Sequence, residues 1–166
     1  MTPLDAVTNA VLPWVIRLAG LFWLLGAFAL IRRIRTEMAL DSMATRLEKI
    51  ARDFGQDAPA SAKSDTERWQ ERDDAARRGW ITGQAVVLAA TGIAMVLLHP
   101  FASWMVALLV LGQGVYFIWR EHTARHAPDD EAAAHARPTR STVNAGWVSL
   151  VVAMLVWMAA FRGLLV

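Results

Sequence analysis

The sequence predicts an all-α integral membrane protein, a four-helix bundle in which every long helix crosses the bilayer. Three observations lead to this fold class. Hydrophobic residues make up 55% of the 166 residues and charged residues 19%, and the charges are segregated from long apolar runs, as is typical of membrane proteins. The longest run, residues 80–119, contains no Asp, Glu, Lys or Arg. His99 and Pro100 divide it into halves of about 20 residues, which is enough for one crossing each.

The apolar runs and the breaks between them predict four spans, over residues 11–31, 80–98, 101–119 and 143–166. Pro100 cannot continue a preceding helix, because it lacks an N–H and its ring clashes with the turn before it. The second and third spans therefore form a tight hairpin. No alternation of the kind expected for a strand occurs in the sequence. We predict a single four-span membrane domain over residues 1–166.

The predicted loops are helical in part. Residues 32–79 form a long helical loop, and its first half carries an apolar stripe with helical spacing, made of Leu40, Met43, Leu47, Ile50 and Phe54. Such a stripe is typical of a coiled coil, and it can also lie on anionic lipid. A polar linker follows over residues 56–66, where Ser64 and Glu67 match a capping box that opens the next helix. The second loop, residues 120–142, holds a short Ala-rich helix between two prolines.

The basic residues predict the orientation of the spans. Of the 17 Lys and Arg, 11 lie in residues 32–79 and four in residues 120–142. Lys and Arg are retained on the cytoplasmic side of a membrane. Both loops are therefore expected in the cytoplasm, and both termini and the hairpin tip on the other side of a bacterial-type inner membrane.

Two arginines, Arg17 and Arg162, lie inside spans, near the same predicted interface. One interpretation is that both side chains snorkel to the interface as anchors. A second interpretation is a shared anion site or gate, with Asp5, His99 or the Val166 carboxylate as partners. A third is contact with another subunit.

Neutral polar residues lie toward the cytoplasmic ends of the spans: Gln84, Gln113 and Tyr116. Such side chains usually form hydrogen bonds between helices. The alternative interpretation is a pocket, open to the cytoplasm, for a polar headgroup or a small metabolite. Gly79 and Gly83 form a GxxxG motif, which predicts close packing of the second span against a neighbour.

The sequence contains no Cys, which excludes thiol catalysis, disulfide exchange, iron–sulfur clusters and Cys-based zinc sites. His122 and His126 have a spacing that can place two imidazoles on one metal ion, although the surrounding segment is predicted to be a solvated loop.

We predict no catalytic residue and no cofactor. The expected partners are membrane lipid and either a second copy or other membrane subunits. Nucleic acid is not expected, because 15 acidic residues accompany the 17 basic ones.

These observations predict a multi-pass inner-membrane protein of accessory, scaffold or assembly type. One alternative is a small membrane enzyme. Four spans, a long first loop and a tight second turn are similar to the membrane-associated eicosanoid and glutathione metabolism family, which implies a lipophilic or thiol-conjugated substrate. The Arg/Asn/Glu pattern of that family is absent from the start of span two, which reads ARRGWITGQAVV. The other alternative is a transporter component, for which ionisable residues would be expected at the midplane.

Overall fold

A computed structural model describes residues 3–54 and 64–165. These residues form five helices and no strand, so the prediction of an all-helical fold is confirmed. The helices are α1 (Pro3–Asp53), α2 (Asp65–Val96), α3 (Phe101–Arg125), α4 (Asp130–Ala136) and α5 (Arg140–Phe161). Most of the predicted linker, residues 55–63, lies outside the described residues, as does Val166.

Four helices, α1, α2, α3 and α5, are long and apolar enough to cross a membrane, as the sequence predicted. In the most apolar 18-residue windows, only 17–28% of the residues are buried within the protein. Large side chains such as Phe22, Trp104 and Leu111 are about two-thirds exposed or more, at 67%, 72% and 67%. Water-soluble proteins rarely expose continuous apolar surface on this scale, whereas a multi-pass membrane protein covers it with lipid.

The first helix is longer than the predicted span over residues 11–31. Helix α1 runs without a break from Pro3 through Arg32, Arg33 and Arg35 to Asp53. Arginine is a good helix former, so these residues end the apolar run without ending the helix. They mark a change in the polarity of the helix surface rather than a change in its backbone.

Each long helix packs against two others, in the circular order α1, α2, α3, α5 and back to α1. The break predicted at His99 and Pro100 is confirmed. Leu98 ends α2 in the left-handed region, with a φ of 53°. The His99 N–H donates to the carbonyl of Ala94 at 2.9 Å, and the Leu98 N–H donates to that of Met95 at 3.1 Å. These two bonds form a Schellman motif, which satisfies the last carbonyls of α2 before Pro100 opens α3.

The apolar core lies toward the hairpin tip and is built from α1, α2, α3 and α5. Its fully buried members include Ile16, Met95, Val106, Leu109 and Val156. At the opposite end of the bundle, α2 begins, α3 ends and the short helix α4 packs on both. The predicted capping box is confirmed there, because the side chains of Ser64 and Glu67 each accept the other's backbone N–H.

The closest helix contact differs from the predicted one. A Cβ built on Gly20 of α1 would lie 2.8 Å from the carbonyl oxygen of Gly92 in α2, and the reverse distance is also 2.8 Å. In contrast, a Cβ on Gly79 or Gly83 would meet nothing within 4 Å in the described chain. The GxxxG motif therefore makes no close helix contact within the described chain, where Gly20 and Gly92 take that role.

Candidate functional site

Charged side chains converge at the end of the bundle opposite the hairpin tip. We call this group the polar cap; its members are Asp73, Asp74 and Arg77 of α2, Arg120 of α3 and His135 of α4. The α2 and α3 residues lie just beyond the apolar parts of their helices, where a helix surface turns from apolar to charged. The helix α4 packs over them and presents two buried alanines, Ala132 and Ala136, whose small side chains allow a close approach.

The centre of the polar cap is an ion pair between Asp73 and Arg120. Only 3% of the Asp73 side chain and 1% of the Arg120 side chain are exposed. The Arg120 Nη1 donates to both carboxylate oxygens, at 2.6 and 2.8 Å, and Nη2 donates to the His135 carbonyl oxygen at 3.1 Å. The Arg120 Nε is buried without a hydrogen-bond acceptor. One guanidinium therefore connects three helices, α2, α3 and α4.

A second, more exposed set of contacts lies beside this pair. The Asp74 Oδ1 lies 3.1 Å from the His135 Nε2 and 3.1 Å from the Arg77 Nη2. The side chains of Asp74 and His135 are 36% and 37% exposed. Since solvent screens such pairs, we expect them to orient α4 rather than to dominate its stability.

The N-terminus of α4 is held separately. The Asp129 carboxylate accepts the Ala132 N–H at 2.8 Å and the Thr66 hydroxyl at 2.8 Å. These two donors, the Ala132 backbone first, hold the pKa of Asp129 below its usual value of 3.8. Asp129 thus caps α4 and at the same time connects it to the first turn of α2.

The polar cap does not provide a good cation site, although Asp73, Asp74 and His135 have ligand atoms within 4.8 Å of one another. Both oxygens of Asp73 accept hydrogen bonds from Arg120, and Asp74 contacts Arg77. Two guanidinium charges thus balance the two carboxylates. A divalent cation would have to displace an arginine that is itself buried, so we interpret the cluster as a structural ion-pair network.

The glutamines singled out from the sequence lie in contacts between helices. The Gln113 Nε2 on α3 donates to the Ser149 Oγ on α5 at 3.0 Å, and Ser149 donates to the carbonyl oxygen of Ala145. The Gln84 amide lies against α3, because a Cβ on Gly112 would come within 2.3 Å of its Nε2. The Gln84 Oε1 is buried without a donor. Neither amide lines the recess between α1 and α2 or the groove beside Leu155 at the start of α1.

Tyr116 belongs to an aromatic cluster with Trp80 and Trp119. Its ring stacks on Trp80 with centroids 6.1 Å apart and meets Trp119 edge-on at 5.9 Å. The cluster lies between the apolar part of the bundle and the polar cap. Amphipathic aromatic rings are enriched at this level in membrane proteins, where they contact the headgroup region.

Arg17 lies within α1, whereas Arg162, predicted inside the fourth span, follows the end of α5 at Phe161, and the two arginines have different partners. The Arg162 Nη1 donates to the Asn9 Oδ1 at 3.1 Å, and its Nη2 lies 3.6 Å from the Asp5 Oδ1. Arg17 places its guanidinium carbon 5.3 Å from the ring centroid of Trp14. These contacts connect α5 to the start of α1 and place Arg17 against a ring of its own helix, and the shared anion site stays a prediction.

His122 and His126 are adjacent on the exposed surface of α3, with ring centroids 4.3 Å apart. The His126 Nδ1 donates to the His122 carbonyl oxygen at 2.8 Å, which occupies one of the nitrogens. Among the described residues, the two rings belong to no group of three potential metal ligands. A structural zinc site needs four protein ligands and a catalytic zinc site needs three, so these two histidines alone are too few for either.

Sequence reasoning did not single out Asp73, because it lies in a strongly charged segment in which every acidic residue looks solvated. The sequence of the second loop could have pointed to a buried charge in this region. The AAA run within DEAAAHA allows α4 to approach its neighbours closely, and a charged side chain that such a helix covers must be paired.

Searches against protein-family models, curated proteins and solved structures found no match to this chain.

Proposed function

We propose that this chain is an accessory, scaffold or assembly subunit of a bacterial-type inner membrane, and that it acts by binding another membrane subunit or a second copy of itself. In this proposal the two basic loops lie in the cytoplasm. The termini and the hairpin tip lie on the other side. The distribution of Lys and Arg supports this orientation, because the chain carries 15 of its 17 basic residues in the two loops.

The apolar stripe on the second half of α1 is the observation that carries the proposal. Its five side chains are between 50% and 81% exposed: Leu40, Met43, Leu47, Ile50 and Phe54. They follow the arginines that end the apolar run, so they extend beyond the segment expected in lipid. A contiguous apolar face in water is costly, and its regular spacing suits a partner helix.

The polar residues of the bundle favour a binding role over catalysis. The side chains of Asp73, Arg120 and Gln113 are already engaged in contacts that connect helices. A catalytic site needs groups that face a substrate and whose proton affinities suit their task. The polar contacts of this bundle hold its helices together instead.

A position-specific crosslinking experiment tests the proposal. A photoreactive residue is placed in cells either at Leu47, within the stripe, or at Thr45, which the helical spacing places on the opposite face of α1. We expect a discrete protein adduct from Leu47 and none from Thr45, and the adduct mass separates a second copy from another subunit. The substitution Leu40→Glu should abolish the Leu47 adduct. Equal adducts from both positions, or an adduct that survives Leu40→Glu, would contradict the proposal.

A further inference from the structure

A recess of about 590 Å³ lies between α1 and α2, near the point where the apolar part of α1 meets its arginines. Ile31, Ile34 and Met38 of α1 form one wall, and Gly79 of α2 lies on the other. This recess shares no residue with the polar cap, although α2 contributes to both.

The recess lies beyond the closest contact between α1 and α2. The helices are in backbone contact at Gly20 and Gly92, where a Cβ would lie 2.8 Å from the opposite carbonyl oxygen. One and a half turns further along α1, a Cβ on Gly26 would meet the Leu88 side chain at 3.8 Å. At Gly79 nothing lies within 4 Å. Open space between the two helices therefore increases toward the arginines, and we call this space the wedge.

The charged residues of the recess leave it with an excess positive charge. Arg35 and Arg78 line it together with Asp41. The Arg78 Nη1 is bonded to the Asp41 carboxylate, so that pair is neutral. Arg35 is exposed, and the described ranges contain no acidic partner for it. The neighbouring Arg33 is bonded to Glu37 at 2.8 Å, and of the two arginines that line the recess, Arg35 is the one without an acidic partner in the described ranges.

We propose that this recess binds a phospholipid with an anionic headgroup. The phosphate contacts Arg35, and the upper part of an acyl chain fills the recess between Ile31 and Gly79, toward the apolar part of α1. Guanidinium groups bind phosphate through strong charge-assisted hydrogen bonds, and basic pockets between membrane helices recognise anionic headgroups. The apolar walls favour a lipid over free phosphate, since Ile31 and Met38 are 36% and 52% exposed. The inference requires that the helices cross a membrane and is independent of the accessory role.

Native mass spectrometry of the detergent-purified protein tests the site with phosphatidylglycerol, phosphatidylcholine and inorganic phosphate as probes. We expect one retained phosphatidylglycerol per chain, with phosphatidylcholine and phosphate retained weakly. The substitution Arg35→Gln should weaken phosphatidylglycerol binding by about tenfold, which corresponds to the loss of one charge-assisted contact. The control Arg32→Gln removes the same charge from a neighbouring position outside the lining, and should change binding by less than about twofold.

Two further variants separate specific binding from loss of the fold. The substitution Asp41→Asn frees Arg78 and should tighten phosphatidylglycerol binding, a gain that an unfolded variant cannot show. The substitution Gly79→Leu fills the wedge and should reduce binding, whereas Gly114→Leu, at another glycine with open space around it, should not. Equal losses in Arg35→Gln and Arg32→Gln would show a diffuse basic surface and overturn the proposal. Retention of phosphatidylcholine as strongly as phosphatidylglycerol, or binding of phosphate alone, would also overturn it.

Discussion

The Arg120 guanidinium lies against both carboxylate oxygens of Asp73, and neither side chain is exposed by more than 3%. Removing two charges from water is expensive, and their attraction repays this cost only when the geometry is good and further hydrogen bonds are made. Here the additional bond goes to the His135 carbonyl oxygen, so the pair is complete only when α4 is in place. The position of α4 is therefore coupled to the packing of α2 against α3.

The substitution Asp73→Asn tests this coupling. It leaves Arg120 buried without a counter-charge, and loss of one partner from a buried pair costs about 3–5 kcal/mol. The free energy of unfolding, measured by SDS titration of the protein in mixed micelles, should fall by that amount. The matched control Asp74→Asn removes a carboxylate that is 36% exposed and should cost less than about 1 kcal/mol.

A double variant distinguishes the cost of an unpaired Arg120 charge from the loss of packing around the ion pair. Because well-packed apolar residues can replace a buried ion pair without loss of stability, the combination of Asp73→Leu and Arg120→Met should be more stable than Asp73→Asn alone. The interpretation fails if Asp73→Asn is no more destabilising than Asp74→Asn.

The contact between α1 and α2 predicts opposite results at two glycines. The substitution Gly20→Ala places a methyl group 2.8 Å from the Gly92 oxygen and 2.9 Å from the Met95 Cβ, so the helices must separate. Overpacking of this kind costs about 1–3 kcal/mol. The substitution Gly114→Ala meets nothing within 4 Å, and it should leave the free energy of unfolding unchanged or slightly raised, since Ala favours a helix. Equal effects in the same titration would contradict the described packing.

The docking of α4 should depend on pH through Asp129. The pKa of this carboxyl is lowered by donation from the Ala132 N–H and the Thr66 hydroxyl, so the folded state favours the carboxylate. The corresponding stabilisation is present above the ordinary value of 3.8 and is lost as the pH falls through the lowered pKa.

Hydrogen exchange of a peptide over residues 129–137 measures this effect after correction for the intrinsic rates. We expect strong protection at about pH 5 and reduced protection at about pH 2.5. The substitution Asp129→Asn should lower the protection at the higher pH and reduce its dependence on pH. The neighbouring Asp130→Asn should behave like the wild type. An unchanged pH dependence in Asp129→Asn would assign the effect to other acidic groups.

Local signals in the sequence predicted the elements of the fold. The uncharged run over residues 80–119, the turn at His99 and Pro100, and the Ser64 and Glu67 capping box all act over a few residues, and all three are present in the structure. The sequence predicts a span over residues 11–31 and a helical segment up to Phe54, but it does not show that the two form one helix, because a change from apolar to charged residues says nothing about the backbone between them.

The tertiary contacts were harder to predict. A GxxxG spacing shows only that a helix surface is flat, and both Gly79 with Gly83 and the pair Gly20 and Gly92 offer flat surfaces. The choice between them depends on how the two helices cross. Asp73 and Arg120 are 47 residues apart in the sequence, and only the position of α4 makes their pairing necessary. The spacing of its residues predicts the apolar stripe on α1. That the stripe is exposed follows only from the arrangement of all the helices.

Labelling of single cysteines tests the central claim, that lipid surrounds four spans whose tip and termini lie outside the cytoplasm. The chain has no Cys, so each introduced thiol is the only one. With a membrane-impermeant maleimide, His99→Cys should react in intact spheroplasts and Ala134→Cys only after permeabilisation. Leu108→Cys, at a half-exposed position in the apolar part of α3, should remain unlabelled in both. Labelling of Leu108→Cys as fast as Ala134→Cys in the permeabilised sample would show that water surrounds this helix and would contradict the account.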